Sequence, residues 1–571
     1  MGSPSEPLSM PTRERDSASA SAGVPLSRRL DAVTRWLSAA LRRLDPAPTP
    51  EPMSEVFIAC FMAAAALTLW LLATNKYLPG QDISYHAHCS RVWLDGGRAG
   101  SPYAAYEAVG PLEANTLMYT VTGFFSHLGS SFGAYRWVQA YYLLGLPLAC
   151  LYALRALGRS PWGSLLGFPL CYGEVFAAGY ANNAFAAPTF IVALVEYWRF
   201  VRRPTWRRGV FVAALFVATF LSHAQVYLWL GGLLLLYSVS VLFHRIGRAF
   251  VTEPRVGLRD LFVFVFGGAA VAAPSLVIFA RWYARGYGAG NSVGAQGNNV
   301  SFEKTLSYVS FSQKYQGGAL QAFSSTTSVY EALYLVGLGI LVVLSMTLAR
   351  AARDRTVPIA EFAIVATVVS FYALPDEVAR QMIAVRQWYV VFWLLPLIVV
   401  PVPIRFGFVR STAVIAGILI WTVARMTLIS EHLGRFTKEE MRGFDAVVAA
   451  APRVPGLRVA YAAVNAKSKY WLTSSMFHSY GFLSAQRSYD GPIEYSDKRS
   501  VAATRYTNGP PLPIKHLYNN ANWASDPVIW QYDLVLVYRW SPTAAQEKVA
   551  REHGTLVASG GDWQLWQRLP R

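Results

Sequence analysis

The sequence predicts a polytopic α-helical membrane protein of about eleven spans, followed by an extracytoplasmic α/β domain at its C-terminal end. Three observations support this fold class. Of 571 residues, 54% are hydrophobic and only 15% are charged, which is too apolar a composition for a soluble protein of this size. Apolar runs approaching the roughly 20 residues that a membrane-spanning helix needs recur along the chain. Basic residues cluster in the short loops between these runs, as they do in cytoplasmic loops.

The predicted spans are residues 56–73, 134–154, 163–178, 184–198, 210–221, 226–243, 261–280, 330–348, 359–374, 388–402 and 412–429. Four basic loops, at 199–208, 244–259, 350–355 and 405–410, agree with a cytoplasmic N-terminus and an outward C-terminal region. Segment 117–128 is apolar as well, but a twelfth span there would place Arg155 and Arg159 outside. It is therefore predicted to be a re-entrant or interfacial helix.

The regions outside the spans define three domains. Residues 1–52 form a cytoplasmic tail without a cleavable signal peptide, in which 27–44 is an amphipathic helix that lies on the inner leaflet or is solvated. Residues 53–430 form the transmembrane domain, with outward loops at 76–116 and 286–328. Residues 431–571 form a soluble periplasmic α/β domain, with strands predicted at 457–464 and 532–539 and a final hairpin that turns at Gly560 and Gly561.

Charge and cysteine content exclude other classes of function. The net charge of +18 would suggest a nucleic-acid partner in a soluble chain, but here it belongs to the cytoplasmic loops, and no nucleic acid is expected. The four cysteines are scattered without CxxC or metal-ligand spacing, so that neither a zinc site nor a disulfide framework is predicted. They are Cys60, Cys89, Cys150 and Cys171.

The polar residues nearest to the first span are the strongest candidates for chemistry, because ionisable groups beside an apolar span are usually functional. Asp82, His86 and His88 fall within seven residues at the predicted outer surface. On a helix, Asp82 and His86 share a face, so the carboxylate could take a proton from a hydroxyl and the imidazole could orient it or bind a phosphate. The alternative is structural, with Asp82 as a helix N-cap.

This pattern resembles bacterial members of the GT-C superfamily of integral membrane glycosyltransferases. The resemblance lies in Asp82-x-x-x-His86, followed by Gly96 and Pro102, in the first outward loop of a chain with many spans and a soluble C-terminal part. It implies a GT-C-like transmembrane domain in which Asp82 is the base that activates an acceptor hydroxyl against a polyprenyl-phosphate-linked sugar. Many members have two adjacent acidic residues, whereas Gln81 precedes Asp82 here. No cofactor is therefore required; if a divalent metal ion is used, Asp82, His86 and His88 would bind it.

Further candidates are predicted to bind substrate from neighbouring outward loops. Glu107 and Glu113 could supply a second carboxylate or be solvated loop residues. Glu174 and Asn182 should lie near the outer surface, where amide groups suit sugar hydroxyls, although Asn183 beside them could equally cap a helix. His223 joins two apolar runs and could contact a diphosphate or sugar oxygen, or be a satisfied polar residue at a helix turn.

Arg386 is the predicted ligand of the carrier phosphate, because a guanidinium is always charged and pairs with phosphate oxygens. An ion pair with Asp376 or Glu377 is the alternative. We expect Arg386 and Asp82 to share one cavity at the outer face. The long, nearly uncharged loop 286–328 could fold over a bound donor as a lid.

The sequence thus predicts an inverting glycosyltransferase of the bacterial inner membrane, with its active site facing the periplasm. Its partners would be a lipid-linked sugar donor and a lipid, glycan or protein acceptor. The alternative is a lipid or polysaccharide transporter without transferase chemistry. A transporter should show ionisable residues at mid-depth and repeat symmetry, whereas Glu196, Glu361 and Arg425 are expected near helix ends.

Overall fold

The computed structural model describes residues 53–571, apart from residues 109, 178, 252–253, 285–335, 346–358, 374–376, 379–380, 400–407, 472–475, 477, 492–503, 507–515, 519 and 571. The predicted cytoplasmic tail 1–52 and the predicted lid 286–328 therefore lie outside the described residues. The remaining chain forms a bundle of apolar helices with a mixed α/β region after the last of them.

The bundle is that of a helical, multi-pass membrane protein. Within the described residues, six helices are long and apolar enough to cross a bilayer: Glu55–Thr74, Ser131–Ala156, Ala181–Arg202, Ala224–Phe243, Val265–Trp282 and Ser411–Glu440. The fourth and fifth lie within the longer helices Ala224–Val251 and Pro254–Trp282. The sixth covers most of helix Phe408–Arg435 and the π-helical turn Phe436–Glu440 that follows it. Four shorter helices accompany them, namely Trp206–Ser222, Val336–Ser345, Ile359–Ala373 and Ile383–Ile398. Ten of the eleven predicted apolar runs correspond to these helices.

The remaining run, 163–178, is not a regular helix. It is divided into a 3₁₀ helix at Pro161–Leu166 and two short α-helices at Gly167–Leu170 and Glu174–Ala177. Pro169 and the glycines of this segment explain the breaks between these short helices. The glycines lie so close to neighbouring parts of the chain that larger side chains would not fit. A Cβ on Gly163 would lie 2.3 Å from the Pro396 carbonyl oxygen, and one on Gly167 would lie 2.8 Å from Pro147 Cα. This segment is apolar because it is buried in protein.

Two short helices lie at the end of the bundle where Glu55–Thr74 finishes and Ser131–Ala156 begins, which we call the Asp82 end. The first is Ile83–Asp95. The second, Leu117–Ser126, has 10 residues and is about 15 Å long, half the thickness of a bilayer core. Its length agrees with the predicted re-entrant or interfacial helix, and we use the name interfacial helix for Leu117–Ser126. It packs against Ile83–Asp95 so closely that a Cβ on Gly123 would lie 2.8 Å from Leu94.

The C-terminal region contains a mixed five-stranded sheet. In the order in which they lie across the sheet, its strands are His516–Tyr518, Val459–Ala463, Leu534–Tyr538, Trp563–Arg568 and Gly554–Gly560. The predicted strands are confirmed, with one correction at the last hairpin. Gly560 ends strand Gly554–Gly560 and pairs with Trp563, so the turn is made by Gly561, whose φ is +57°, and Asp562.

One further expectation is wrong. Arg425 was expected near a helix end, but it lies well inside Phe408–Arg435 and is 1% exposed. The apolar run ends at 429, but the helix continues through polar residues to Arg435. A buried arginine within the bundle is costly in lipid and is retained only when protein surrounds it.

Candidate active site

Asp82 occupies the N-cap position of Ile83–Asp95, yet its side chain makes no capping hydrogen bond. The predicted N-cap position of Asp82 is thus observed, but its carboxylate does not bond the backbone of its own helix. The carboxylate is 21% exposed. It is thus shielded by protein but still open to a ligand from one side.

The backbone on both sides of Asp82 is pressed against the loop that precedes Ala181–Arg202. The Gln81 amide donates to the Ala177 carbonyl oxygen at 3.0 Å. Gly179 has a φ of +74°, and a Cβ there would lie 2.4 Å from the Asp82 amide nitrogen. Only glycine fits this position, both because of its left-handed backbone and because of the close approach. The head of Asp82's helix is therefore fixed by the bundle.

His478, from the region after the last span, lies directly beside Asp82. Its Nε2 is 3.4 Å from Asp82 Oδ1, and its side chain is 3% exposed. The two residues are almost 400 positions apart in the sequence, and the segment around His478 shows no recognisable motif. Sequence reasoning missed this residue, and no pattern in a single sequence could have identified it.

His86 lies one turn after Asp82, and its Nδ1 is 2.6 Å from the Tyr119 hydroxyl oxygen. Burial lowers the pKa of His86 to about 4, an effect that outweighs the nearby Asp82 charge. The imidazole is therefore neutral near pH 7. Burial raises the pKa of the Tyr119 hydroxyl well above its usual value of 10, although a hydrogen bond with Asn182 acts in the opposite direction. If the Asn182 amide donates a hydrogen bond to the Tyr119 oxygen, Tyr119 can in turn donate its hydroxyl proton to His86 Nδ1.

This hydrogen-bonded chain has two open ends that a ligand could use. If Nδ1 of His86 accepts from Tyr119, the ring proton is on Nε2, which can donate to an oxygen. The Oδ1 atom of Asn182 is buried and has no hydrogen-bond partner among the described residues. Buried polar atoms without partners are rare in proteins and often mark the position of a ligand. Tyr119, in the interfacial helix, is the second residue that sequence reasoning missed; its polar position in an apolar segment was the available signal.

His88 points away from this chain, into the interface with the C-terminal region. It is fully buried, its Nε2 accepts from the Gly491 amide at 3.3 Å, and its ring contacts Tyr103 and Tyr480. Burial lowers its pKa to about 4. Its role in binding acceptor or phosphate stays a prediction, and the contacts observed are structural. No three His, Cys, Asp or Glu residues in the described part of the chain are grouped to hold a metal ion.

The helices that bear Glu174 and Arg386 both reach the Asp82 end. Helix Glu174–Ala177 contains Phe176, whose carbonyl oxygen would lie 2.8 Å from a Cβ on Gly80. Arg386 lies in the first turn of Ile383–Ile398. One turn further, Tyr389 contacts Tyr180, with ring centroids 6.3 Å apart. The side chains of Glu174 and Arg386 lie outside what is described, so their roles stay predictions.

The other three residues that were predicted to bind substrate make contacts that are typical of structural roles. Glu107 is exposed in strand Tyr106–Ala108 and stands opposite Arg505 in the neighbouring strand. Glu113 is half-buried, and its carbonyl oxygen accepts from Thr116. His223 precedes Ala224–Val251, and its Nδ1 accepts from the Val226 amide at 3.3 Å, as an N-cap residue does. These contacts favour the structural interpretation and leave ligand binding by the three residues a prediction.

An apolar groove of about 1220 Å³ runs from the interfacial helix along Ser131–Ala156. At one end it is bordered by Leu117 and Val121, which flank Tyr119, and at the other by Leu148 and Tyr152. Its wall is almost entirely apolar, with Trp137 and Tyr141 among the aromatic residues. A groove of this shape and chemistry suits a hydrocarbon chain whose polar head lies at the Asp82 end.

Comparisons with known proteins give structural likeness only. The chain matches the crystal structure of ArnT from Cupriavidus metallidurans bound to undecaprenyl phosphate with a TM-score of 0.47 and 13% identity, covering 91% of this chain and 100% of that one. The apo structure of the same ArnT matches with a TM-score of 0.48 and 13% identity, covering 90% and 99%. No protein-family model and no curated protein sequence matches the chain.

Proposed function

We propose that this protein is a membrane glycosyltransferase that moves one sugar from a polyprenyl-phosphate donor to a hydroxyl acceptor on the periplasmic side. The observation that carries the proposal is the uncapped Asp82 carboxylate at the head of its helix, next to the neutral His86 and the unpaired Asn182 Oδ1. A carboxylate base, a neutral hydrogen-bond donor and a free amide acceptor are groups that can serve the transfer of a sugar from a phosphate to a hydroxyl.

In this proposal the acceptor hydroxyl gives its proton to Asp82 while its oxygen attacks the anomeric carbon of the donor. The bond between that carbon and the phosphate oxygen breaks, and the polyprenyl phosphate leaves with the bonding electrons. A single displacement of this kind inverts the anomeric centre. His86 Nε2–H would donate to an oxygen of the donor or acceptor, and Asn182 Oδ1 would accept from a sugar hydroxyl.

The leaving phosphate requires a positive charge, and Arg386 is the proposed source because its helix contacts Tyr180 through Tyr389 near the Asp82 end. The hydrocarbon chain of the donor would lie in the groove along Ser131–Ala156. In this orientation the Asp82 end and the C-terminal sheet face the periplasm and the N-terminus faces the cytoplasm, as the basic loops predict.

The experiment is reconstitution of purified protein into vesicles that contain undecaprenyl phosphates, each carrying one radiolabelled sugar, together with a bacterial envelope extract as acceptor. The proposal expects protein-dependent transfer of label from the carrier to the extract, with inverted stereochemistry in the product. Movement of the carrier between leaflets without transfer would overturn the proposal in favour of the transporter alternative.

A further inference from the structure

The contact between His478 and Asp82 joins the region after the last span to the proposed base. We propose that His478 is a positioning residue of the active site, so that the C-terminal region forms part of the catalytic unit. This inference rests on the proposed function. Its geometric basis is the 3.4 Å separation of His478 Nε2 from Asp82 Oδ1, with a histidine side chain that is 3% exposed.

The backbone around His478 is fixed to Asp82's own helix, which is what a positioning role requires. The Ser84 hydroxyl donates to the His478 carbonyl oxygen at 2.7 Å, and the Gly481 amide donates to the same oxygen at 2.8 Å. A Cβ on Gly481 would lie 2.1 Å from the Ser84 carbonyl oxygen. Helix Tyr480–Arg487 therefore begins in direct backbone contact with the first turn of Ile83–Asp95.

The imidazole ring is held as firmly as its backbone. It packs against Tyr85 and Tyr480, with ring centroids 5.5 and 6.1 Å away. These two contacts leave Nε2 directed at Asp82. With its proton on Nε2, the ring donates to Oδ1 and leaves Oδ2 of the carboxylate for the acceptor hydroxyl. The distance is long for a hydrogen bond, as is common before substrate binds, and we expect it to shorten in the complex.

The function of His478 would thus be to fix which carboxylate oxygen faces the acceptor. Misplacement of a catalytic group by about 1 Å lowers rates by about 100-fold. A residue of this kind affects the chemical step through Asp82 and leaves donor binding unchanged. Its loss should therefore lower kcat without a matching change in KM.

The test compares His478→Phe and His478→Gln in the full-length protein, with an undecaprenyl-phosphate-linked sugar as donor. Phenylalanine keeps the packing against Tyr85 and Tyr480 but cannot donate, and kcat should fall about 100-fold. Glutamine has an N–H donor near the position of Nε2, and should recover most of that rate. His553→Phe, at an exposed position of the same region, is the matched control and should keep the wild-type rate.

A double-mutant cycle separates positioning from a merely structural role. If His478 acts through Asp82, His478→Phe should lower the residual rate of Asp82→Asn little or not at all, because the group that it positions is gone. Full activity of His478→Phe, or equal additive losses in both backgrounds, would overturn the inference while the proposed function stands. Absence of any transfer by the wild-type protein would overturn the proposed function and, with it, the role of His478.

Discussion

Nδ1 of His86 lies 2.6 Å from the Tyr119 hydroxyl oxygen, and this contact determines which ring nitrogen faces the proposed substrate. Because burial lowers the pKa of His86 to about 4, the ring has one proton near pH 7. A tyrosine that donates to Nδ1 leaves this proton on Nε2. The interfacial helix thus influences which nitrogen of His86, on the neighbouring helix Ile83–Asp95, carries the proton.

Tyr119→Phe removes the hydroxyl that fixes this tautomer. We expect kcat for sugar transfer to fall about tenfold, which corresponds to the loss of one hydrogen bond of about 1.4 kcal/mol. Steady-state kinetics with the lipid-linked donor measure it. Tyr283→Phe, at a position that is 47% exposed and does not line the groove, should leave the rate unchanged. An undiminished rate in Tyr119→Phe would show that the tautomer of His86 does not matter.

Gly481→Ala should separate the C-terminal region from the bundle. The added Cβ would lie 2.1 Å from the Ser84 carbonyl oxygen, a backbone atom that cannot move aside. Overpacking of this kind costs about 1–3 kcal/mol, so the apparent Tm in detergent should fall and activity should fall with it. Gly434→Ala is the matched control, because no heavy atom lies within 4 Å of a Cβ there. The idea fails if both alanine variants have the wild-type Tm and rate.

His88→Gln should make the protein less sensitive to acid. Burial lowers the folded-state pKa of His88 from 6.5 to about 4, so the folded protein binds this proton less readily than the unfolded chain. Stability from His88 is therefore present above pH 6.5 and is lost as the pH falls toward 4. Glutamine can still accept from the Gly491 amide but does not titrate. The drop in apparent Tm between pH 7.5 and 4.5 should be smaller in His88→Gln, and equal drops would contradict the assignment.

Leu148→Trp should distinguish donors by the length of their hydrocarbon chain. Leu148 lines the groove on Ser131–Ala156 and is 51% exposed, so that tryptophan would narrow the groove. Tryptophan would keep about two CH₂ groups of a long-chain donor from being buried in the groove, which raises the KM of that donor by about tenfold. The KM of a donor with two isoprene units should be unaffected. Leu235→Trp, at an exposed position of another helix, is the control. Equal effects on the KM values of both donors would show that the groove does not bind the hydrocarbon chain of the donor.

The sequence predicted those parts of the fold that depend on local pattern. Long apolar runs predicted ten of the helices, and short strand-like apolar segments predicted strands Val459–Ala463 and Leu534–Tyr538, which are buried at every position. The run 163–178 was misassigned because burial in protein and burial in lipid select the same apolar residues. Only its packing against Pro147 and Pro396 distinguishes the two.

The candidate site was predictable only near the first span. Asp82 and His86 were identified because polar residues beside an apolar run are unusual. Their partner His478 comes from a distant region, and its contact depends on the docking of Gly481 against Ser84, which no local pattern encodes. The helix that bears Arg386 contacts Tyr180 through Tyr389, and the role of Arg386 itself stays a prediction.

The rate of sugar transfer by Asp82→Asn tests the central claim most directly. Asp95→Asn is the matched control on the same helix, since Asp95 forms ion pairs with Arg91 and Arg98 and lies away from the site. Loss of a general base lowers rates by about 100-fold or more, so we predict that Asp82→Asn loses at least that much of kcat while Asp95→Asn stays close to wild type. A wild-type rate in Asp82→Asn would contradict the account.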